Sequence, residues 1–190
     1  MTAITRDVIL THSGRYVRPL ALDPEDVDVV DIAHALSHQC RFSGHVRQFY
    51  SVAEHSCRVC DLVGELASEP YLELWALMHD ASEAYLVDLP RPVKHTSVLG
   101  HEYIRAERLA MEAICVAVGL DGYEPEVVSH ADRVLLATER RDLMPVKGDW
   151  RAWLNGVEPL EDEIEPWAAS VAKTGFMRRY VTLATRLGRL

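Results

Sequence analysis

The sequence predicts an all-α protein with one short β-hairpin near its N-terminal end. Three observations carry that prediction. Apolar residues recur at helical spacing in several separate segments. Ser51 and Glu54 stand at capping-box spacing and fix a helix start. Pro90, Pro92 and Gly119 fall where periodic segments stop. Loose alternation is confined to residues 7–20, DVILTHSGRYVRPL, whose Ser13-Gly14 pair suits a hairpin turn.

Taken in order, the run from Asp23, DPEDVDVVDIAHALSH, places acidic residues near a helix start and an apolar period through Val30, Ala33 and Leu36. CRFSGHVRQFY, residues 40–50, has no clean period, contains Gly44 and reads as a loop. SVAEHSCRVCDLVGELA is helical from Ser51, with His55 in its first or second turn. A helix over 71–86 ends at the prolines of DLPRPVK, and a long amphipathic helix over 101–118 stops at Gly119. Pro125 opens the helix EVVSHADRVLLATERRDLM, and a final helix is expected over about 160–187. No repeat, low-complexity tract or linker divides the chain, so residues 1–190 are expected to form a single domain.

Bulk properties narrow the function. A chain of 190 residues can bury a core without disulfides or structural metal. No apolar run approaches the length of about 18 residues needed to span a bilayer. MTAITRDVIL lacks the basic-then-apolar pattern of a secretory signal. No membrane association and a cytoplasmic location are therefore expected. Cys57 and Cys60 form a C-x-x-C inside a helix with no second pair, so buried free thiols are the plainer reading over zinc or redox use. A net charge of −9 argues against binding duplex nucleic acid, which needs a positive field, but leaves room for a small phosphorylated ligand.

The chemistry concentrates in LMHDASEAYLVDLPRPVK, residues 77–94, where His79, Asp80, Glu83 and Asp88 interrupt apolar Leu77, Met78, Ala81, Ala84 and Tyr85. A solvated face and a metal site compete as explanations. A solvated acidic face would carry balancing cations, yet residues 71–90 contain neither lysine nor arginine. Adjacent helical side chains project about 100° apart, so His79 and Asp80 can straddle a groove and converge on one ion. Glu83, four residues on, would lie on the same face as His79 and within reach of a coordinated water. Further ligands must come from other helices. His55 and Asp132 are candidates, although each alone reads more readily as an ordinary polar group: Asp132 as a surface carboxylate, His55 as a satisfied or exposed histidine.

The ordered set His55 … His79-Asp80 … Asp132, with Glu83 and Asp88 in HDASEAYLVDLPRPVK, resembles the HD-domain metal-dependent phosphohydrolases. Within them it is most similar to the small 5′-deoxynucleotidases and to the phage deoxyadenosine-triphosphate hydrolases. IAHALSHQCRFSGHVRQFYSVAEHS, HDASEAYLVDLPRPVK and ADRVLLATERRDLM carry the likeness, which spans about residues 31–144. The resemblance implies an HD-type helical bundle in which His55, His79, Asp80 and Asp132 hold one divalent ion. Imidazole and carboxylate donors suit Mn, Co, Fe, Ni or Zn better than Ca, with Mg a further candidate. It also implies that Glu83 activates the attacking water, that Asp88 protonates the leaving oxygen, and that Arg41 and Lys94 neutralise the phosphate. The expected activity is hydrolysis of a deoxyribonucleotide 5′-ester at the α-phosphorus, releasing phosphate from a monophosphate. Release of triphosphate from a deoxynucleoside triphosphate is the alternative, and a non-catalytic nucleotide-binding module the lesser one. GYEP, residues 122–125, matches cyclic-dinucleotide phosphodiesterases poorly. The long amphipathic helix, with the resemblance, suggests a homodimer or higher homo-oligomer, although composition shows no interface.

Several residues stay open at this level. Phe42 is a candidate to line the substrate pocket, and Tyr50 either stacks on a base or packs, whereas Tyr85 reads as core. His34, His38 and His45 suggest a pocket wall or hydrogen-bonded structural histidines rather than a second metal site. Glu139, in ATERRDL, reads as an ion pair with a neighbouring arginine or, more plainly, as a solvated helix end.

Overall fold

The computed structural model describes residues 6–145 and 156–190. The first half of the stretch read above as lacking a secretory signal lies outside the described residues. Helices dominate, and the strands form a two-stranded antiparallel hairpin. In that hairpin β1 (Ile9–Leu10) pairs with β2 (Tyr16–Val17), in the register Ile9 with Val17 and Leu10 with Tyr16. Its turn is fixed to the body by Ser13, whose backbone N–H and hydroxyl both donate to the buried Asp31 carboxylate at 2.6 and 2.7 Å. The protein is thus all-α with a short N-terminal hairpin, as its patterning predicts.

Helix α1 (Val29–His38) starts later than the acidic run from Asp23 suggests. Two local caps explain the delay. Asp23 caps a 3-10 turn over Pro24–Asp26, and Asp28 then accepts from the backbone N–H of Val30 at 2.8 Å, which sets the true start. The loop that follows is closed at its neck. Arg41 N–H donates to the Tyr50 carbonyl and Val52 N–H to the Gln39 carbonyl, so both ends of residues 39–52 are pinned. Ser51 in that neck also caps α2 (Val52–Ala67), its hydroxyl accepting from Glu54 N–H at 3.1 Å, as the capping-box spacing predicts.

Helix α2 is the central element. Its first three turns are buried almost all round, and it packs against α1, α3 (Pro70–Met78), α7 (Glu126–Leu143) and α8 (Ala169–Arg186). Ile32, Leu36, Val59, Val63, Leu74, Leu77, Leu135 and Phe176, all at most 1% exposed, belong to one apolar cluster around it. Cys57, Cys60 and Cys115 are buried free thiols, and burial pushes the Cys57 thiol up to about 12.

The expected continuous helix over 71–86 is broken. Helix α3 ends at Met78, residues 79–82 form a tight turn, and the single-turn α4 covers Glu83–Leu86. Backbone bonds across the junction run from Ala81 to Met78, Glu83 to Asp80 and Ala84 to Ala81, the three-residue spacing of a tightened helix. Glu83 is therefore not simply one α-turn beyond His79.

Helix α5 (Arg91–Thr96) and helix α6 (Val98–Val118) form the wall that follows. One face of α6 holds that wall in place. Tyr103 donates its hydroxyl to the Val87 carbonyl, and Glu107 accepts from Lys94 at 2.6 Å. Gly100 lets the α5 backbone touch α6, because a Cβ there would sit 2.0 Å from the Lys94 carbonyl oxygen.

The last helix is shorter than expected, beginning at Ala169 instead of about 160. Pro166 disfavours a helical residue before it. The preceding stretch instead gives its N–H groups to other elements: Leu160 to Thr138, Ile164 to Asp142 and Trp167 to the Glu54 carboxylate. Among the described residues no helix is long and apolar enough to cross a membrane. From the Gly100 contact, Gly100→Ala is expected to destabilise the protein by about 1–3 kcal/mol through overpacking, measured by urea unfolding.

Candidate metal centre

Three structural units deliver the four expected ligands. His55 projects from the first turn of α2, the most constrained part of the protein, and is fully buried. His79 is the C-cap of α3 and Asp80 lies in the turn behind it. Asp132 comes from α7. Ligand atoms of His55, His79 and Asp80 all lie within 4.8 Å of one another. His55 Nε2 is 3.2 Å from His79 Nε2, 3.6 Å from an Asp80 oxygen and 3.2 Å from an Asp132 oxygen. His79 Nε2 is 3.2 Å from the same Asp80 oxygen. Ligands at about 2.0–2.2 Å from one ion sit about 3–3.5 Å from each other, so the spacing fits a single small cation.

Proton placement strengthens the fit. His79 Nδ1 lies 2.7 Å from the Ala76 carbonyl, which can only accept, so Nδ1 carries the proton. His55 Nδ1 lies 2.5 Å from an oxygen of buried Glu139 and donates to it. In the neutral imidazoles both Nε2 lone pairs therefore face each other and two carboxylates. That arrangement is repulsive unless a proton or a metal cation stands among them. A carboxylate or carbonyl behind each histidine is also the usual way a protein fixes a metal-binding tautomer.

The electrostatics have the same origin. Burial opposes charge on His79, but the neighbouring Asp80 and then Asp132 override it and push His79 up to about 10. Burial and Arg41 act against charge on His55, and Glu139 and Asp132 outweigh them, leaving His55 above its ordinary value. Burial would raise Asp80, yet His79, His55 and Arg41 hold it below the usual carboxylate range. Asp132 and Glu139 are likewise held low against their burial, Asp132 chiefly by His55 and Glu139 by Arg41 and then His55.

The other predicted site residues face a cavity of about 990 Å³ above this cluster, lined by Arg41, Phe42, Asp80, Glu83, Asp88, Lys94 and Asp132. Arg41 is not a loose cation. It donates to Asp80 at 3.2 Å and to Glu139 at 3.3 Å, spending two of its five N–H groups on the acids of the candidate cluster. Phe42 follows in left-handed backbone (φ 54°), half-buried beneath the Arg41 guanidinium. Glu83 is nearly buried with one oxygen unpartnered within the protein. Burial first, then Asp80 and Asp88, push it well above the usual carboxylate range. Asp88 is also raised, mainly by burial. Lys94 reaches the cavity wall, but its ammonium is paired with Glu107.

Some residues resolve differently from the sequence reading. Glu139 is not a solvated helix end and does not pair with a neighbouring arginine; it is fully buried and grips His55 and Arg41. Its spacing carried the signal, since it lies seven residues, or two turns, beyond Asp132 on the same face of α7. Tyr50 is fully buried and packs, as Tyr85 largely does, so Tyr50 offers no stacking face. His34 and His38 leave the cavity altogether: His34 stacks on His12 at 3.6 Å, beside His38 and Lys173. His45 does line the cavity. Gln39, which no motif or periodicity singles out, bonds to the backbone of both Glu83 and Asp88.

An all-α protein with a partly buried histidine–aspartate cluster beneath a charged cavity is the class that this geometry defines. No family model matches the chain. It is 38% identical over 178 residues to the uncharacterized protein YfdR of Escherichia coli K12, covering 93% of this chain and 95% of that one. The chain belongs to the same family as YfdR. The uncharacterized protein RCAP_rcc00048 of Rhodobacter capsulatus is 35% identical over 124 residues, 63% of this chain and 62% of its own length.

Two outcomes follow. Glu139→Gln is expected to weaken Co²⁺ binding about 10–100-fold, read by titration. His79 in the metal-free protein stands at about 10 against an ordinary 6.5. Its stabilising contribution is therefore complete below pH 6.5 and disappears as pH rises through about 10. Because an ion must displace that proton, divalent-metal affinity should climb over the same window. Thermal unfolding in chelator and Co²⁺ titration across the window check both trends.

Proposed function

We propose that this protein is a metal-dependent phosphohydrolase of the HD type that cleaves deoxyribonucleotide 5′-phosphate esters, acting as a 5′-deoxynucleotidase. The observation that carries the reading is the His55, His79 and Asp80 group, with Asp132 beside His55, at the floor of a cavity that also holds Glu83, Asp88 and Arg41. A structural metal site would not need two further raised carboxylates opening onto free volume.

His55, His79, Asp80 and Asp132 would hold the ion, which supplies positive charge against the phosphate and acidifies water. Glu83, with its unpartnered oxygen and raised proton affinity, takes the proton from the attacking water. Asp88, raised by burial, gives its proton to the departing 5′-oxygen. Arg41 keeps three N–H groups beyond its bonds to Asp80 and Glu139, and directs them at phosphate oxygens as charge develops. Lys94 adds charge from the wall, tempered by Glu107. Phe42 borders the space where a base would lie. Mn, Co, Fe, Ni, Zn or Mg would serve as the ion.

A second reading has its own support. Arg91, His95 and Arg140 extend the basic lining of the cavity beyond Lys94. That suits a longer phosphate chain and a triphosphohydrolase releasing inorganic triphosphate.

Incubation of the purified protein with deoxy- and ribonucleoside mono- and triphosphates, in Mn²⁺, Co²⁺ or Mg²⁺, is expected to release phosphate from deoxynucleoside monophosphates. Intact triphosphate as product would instead favour the second reading, and no turnover of any nucleotide would remove the substrate claim. Glu83→Gln and Asp88→Asn should each lower kcat by about 10²–10⁴-fold with Co²⁺ affinity retained.

A further inference from the structure

We propose that Gln39 is a positioning residue, whose side-chain amide sets the separation of Glu83 and Asp88. The inference rests on the functional reading above, in which those two carboxylates serve as base and acid.

The carboxylates belong to a segment that cannot hold itself. Helix α4 is a single turn, Glu83–Leu86, far shorter than a helix needs for stability of its own. It ends in Val87 at φ 70°, ψ 154°, a region nearly reserved for glycine and occupied here by a β-branched residue. Strained backbone of this kind persists only where surrounding contacts impose it. Asp88 follows at once, so the strain at Val87 directs the chain that carries it.

Gln39 supplies the imposing contact. Its Nε2 donates to the Glu83 carbonyl at 2.8 Å, and its Oε1 accepts from the Asp88 N–H at 3.1 Å. A carbonyl can only accept and an N–H can only donate, so these partners fix which way the amide faces. One rigid planar group thus spans the start of α4 and the second residue beyond its end. Tyr103 holds the Val87 carbonyl between those two points.

The anchor is itself fixed to the metal cluster. The Gln39 backbone carbonyl accepts from Val52 N–H, the first residue of the helix that carries His55. Arg41, which bonds to Asp80 and Glu139, lies two residues further on. Gln39 therefore refers the acid–base pair to the ligand set through three hydrogen bonds. It touches neither ion nor substrate in this role. A shift of about 1 Å in a reacting group is enough to cost about 10²-fold in rate.

The test uses the full chain and the near-isosteric variant Gln39→Met, which keeps length and volume and removes both side-chain bonds. Expected are a kcat on a deoxynucleoside monophosphate about 10–100-fold lower, with KM and Co²⁺ affinity close to wild type. Hydrogen exchange at the Asp88 amide should accelerate. Gln39→Glu retains the acceptor for the Asp88 N–H and loses the donor to Glu83; it should keep that amide protected and lose less kcat than the Met variant. It also carries the test should Gln39→Met not fold. An unchanged kcat in Gln39→Met, or a kcat that falls only in step with Co²⁺ affinity, would overturn the proposal. Failure of the wild-type protein to hydrolyse any deoxynucleotide would sink the functional reading on its own. Positioning is then decided by the Asp88 amide: faster exchange with Co²⁺ binding intact supports it, and unchanged exchange overturns it.

Discussion

Two imidazole nitrogens that turn their lone pairs toward each other are the constraint around which this protein is arranged. His55 and His79 are pinned from behind by Glu139 and by the Ala76 carbonyl, so neither ring can turn away. Asp80 and Asp132 crowd the same point from other elements. Left alone, the cluster would bind protons, which is why His79 is displaced so far upward. A divalent ion would answer the same imbalance, and the spacing of His55, His79 and Asp80 could hold one.

Holding such a cluster requires rigidity where the ligands originate. The protein supplies it by burying the first turns of α2 and closing the loop before it into a pinned neck. Within that neck a few residues have distinct tasks. Gln39 reaches α4, Arg41 reaches the acids of the cluster, and Ser51 caps the helix bearing His55. Arg41 serves the cluster before it can serve a ligand, since its bonds to Asp80 and Glu139 offset part of the acidic excess. The cavity wall formed by α5 is organised separately. It leans on a single face of α6 through Gly100, Tyr103 and Glu107.

Much of this was legible in the sequence because it depends on local rules. The Ser51 cap, the stop at Gly119, and the hairpin around Gly14 are written in residues a few positions apart, whereas Pro90 and Pro92, read as a stop, open α5 instead. His79 and Asp80 were legible for another reason: with Glu83 and Asp88 they make an unbalanced segment, a histidine and three carboxylates without a nearby cation, whereas His55 and Asp132 joined them only through the family resemblance. The misreadings share one physical source. Asp28 displaced the expected start of α1, and Glu54, Thr138 and Asp142 drew residues 160–167 out of the expected final helix by accepting their N–H groups. The break after Met78 went unseen because each residue there is an acceptable helix former.

By itself, then, the sequence determined the helical class, several helix ends, and His79 and Asp80 as candidate donors for an ion. These follow from periodicity, capping and charge along the chain, which act over one or two turns. Only the tertiary structure decided that Asp132 meets His55, that Glu139 is a buried support and not a solvated end, and that Lys94 is tied to Glu107. It also took Tyr50 into the core and moved His34 and His38 to a separate stack with His12. Such outcomes depend on which faces of distant helices are pressed together, and a side chain's partner across 77 or 84 residues leaves no trace in its immediate neighbours.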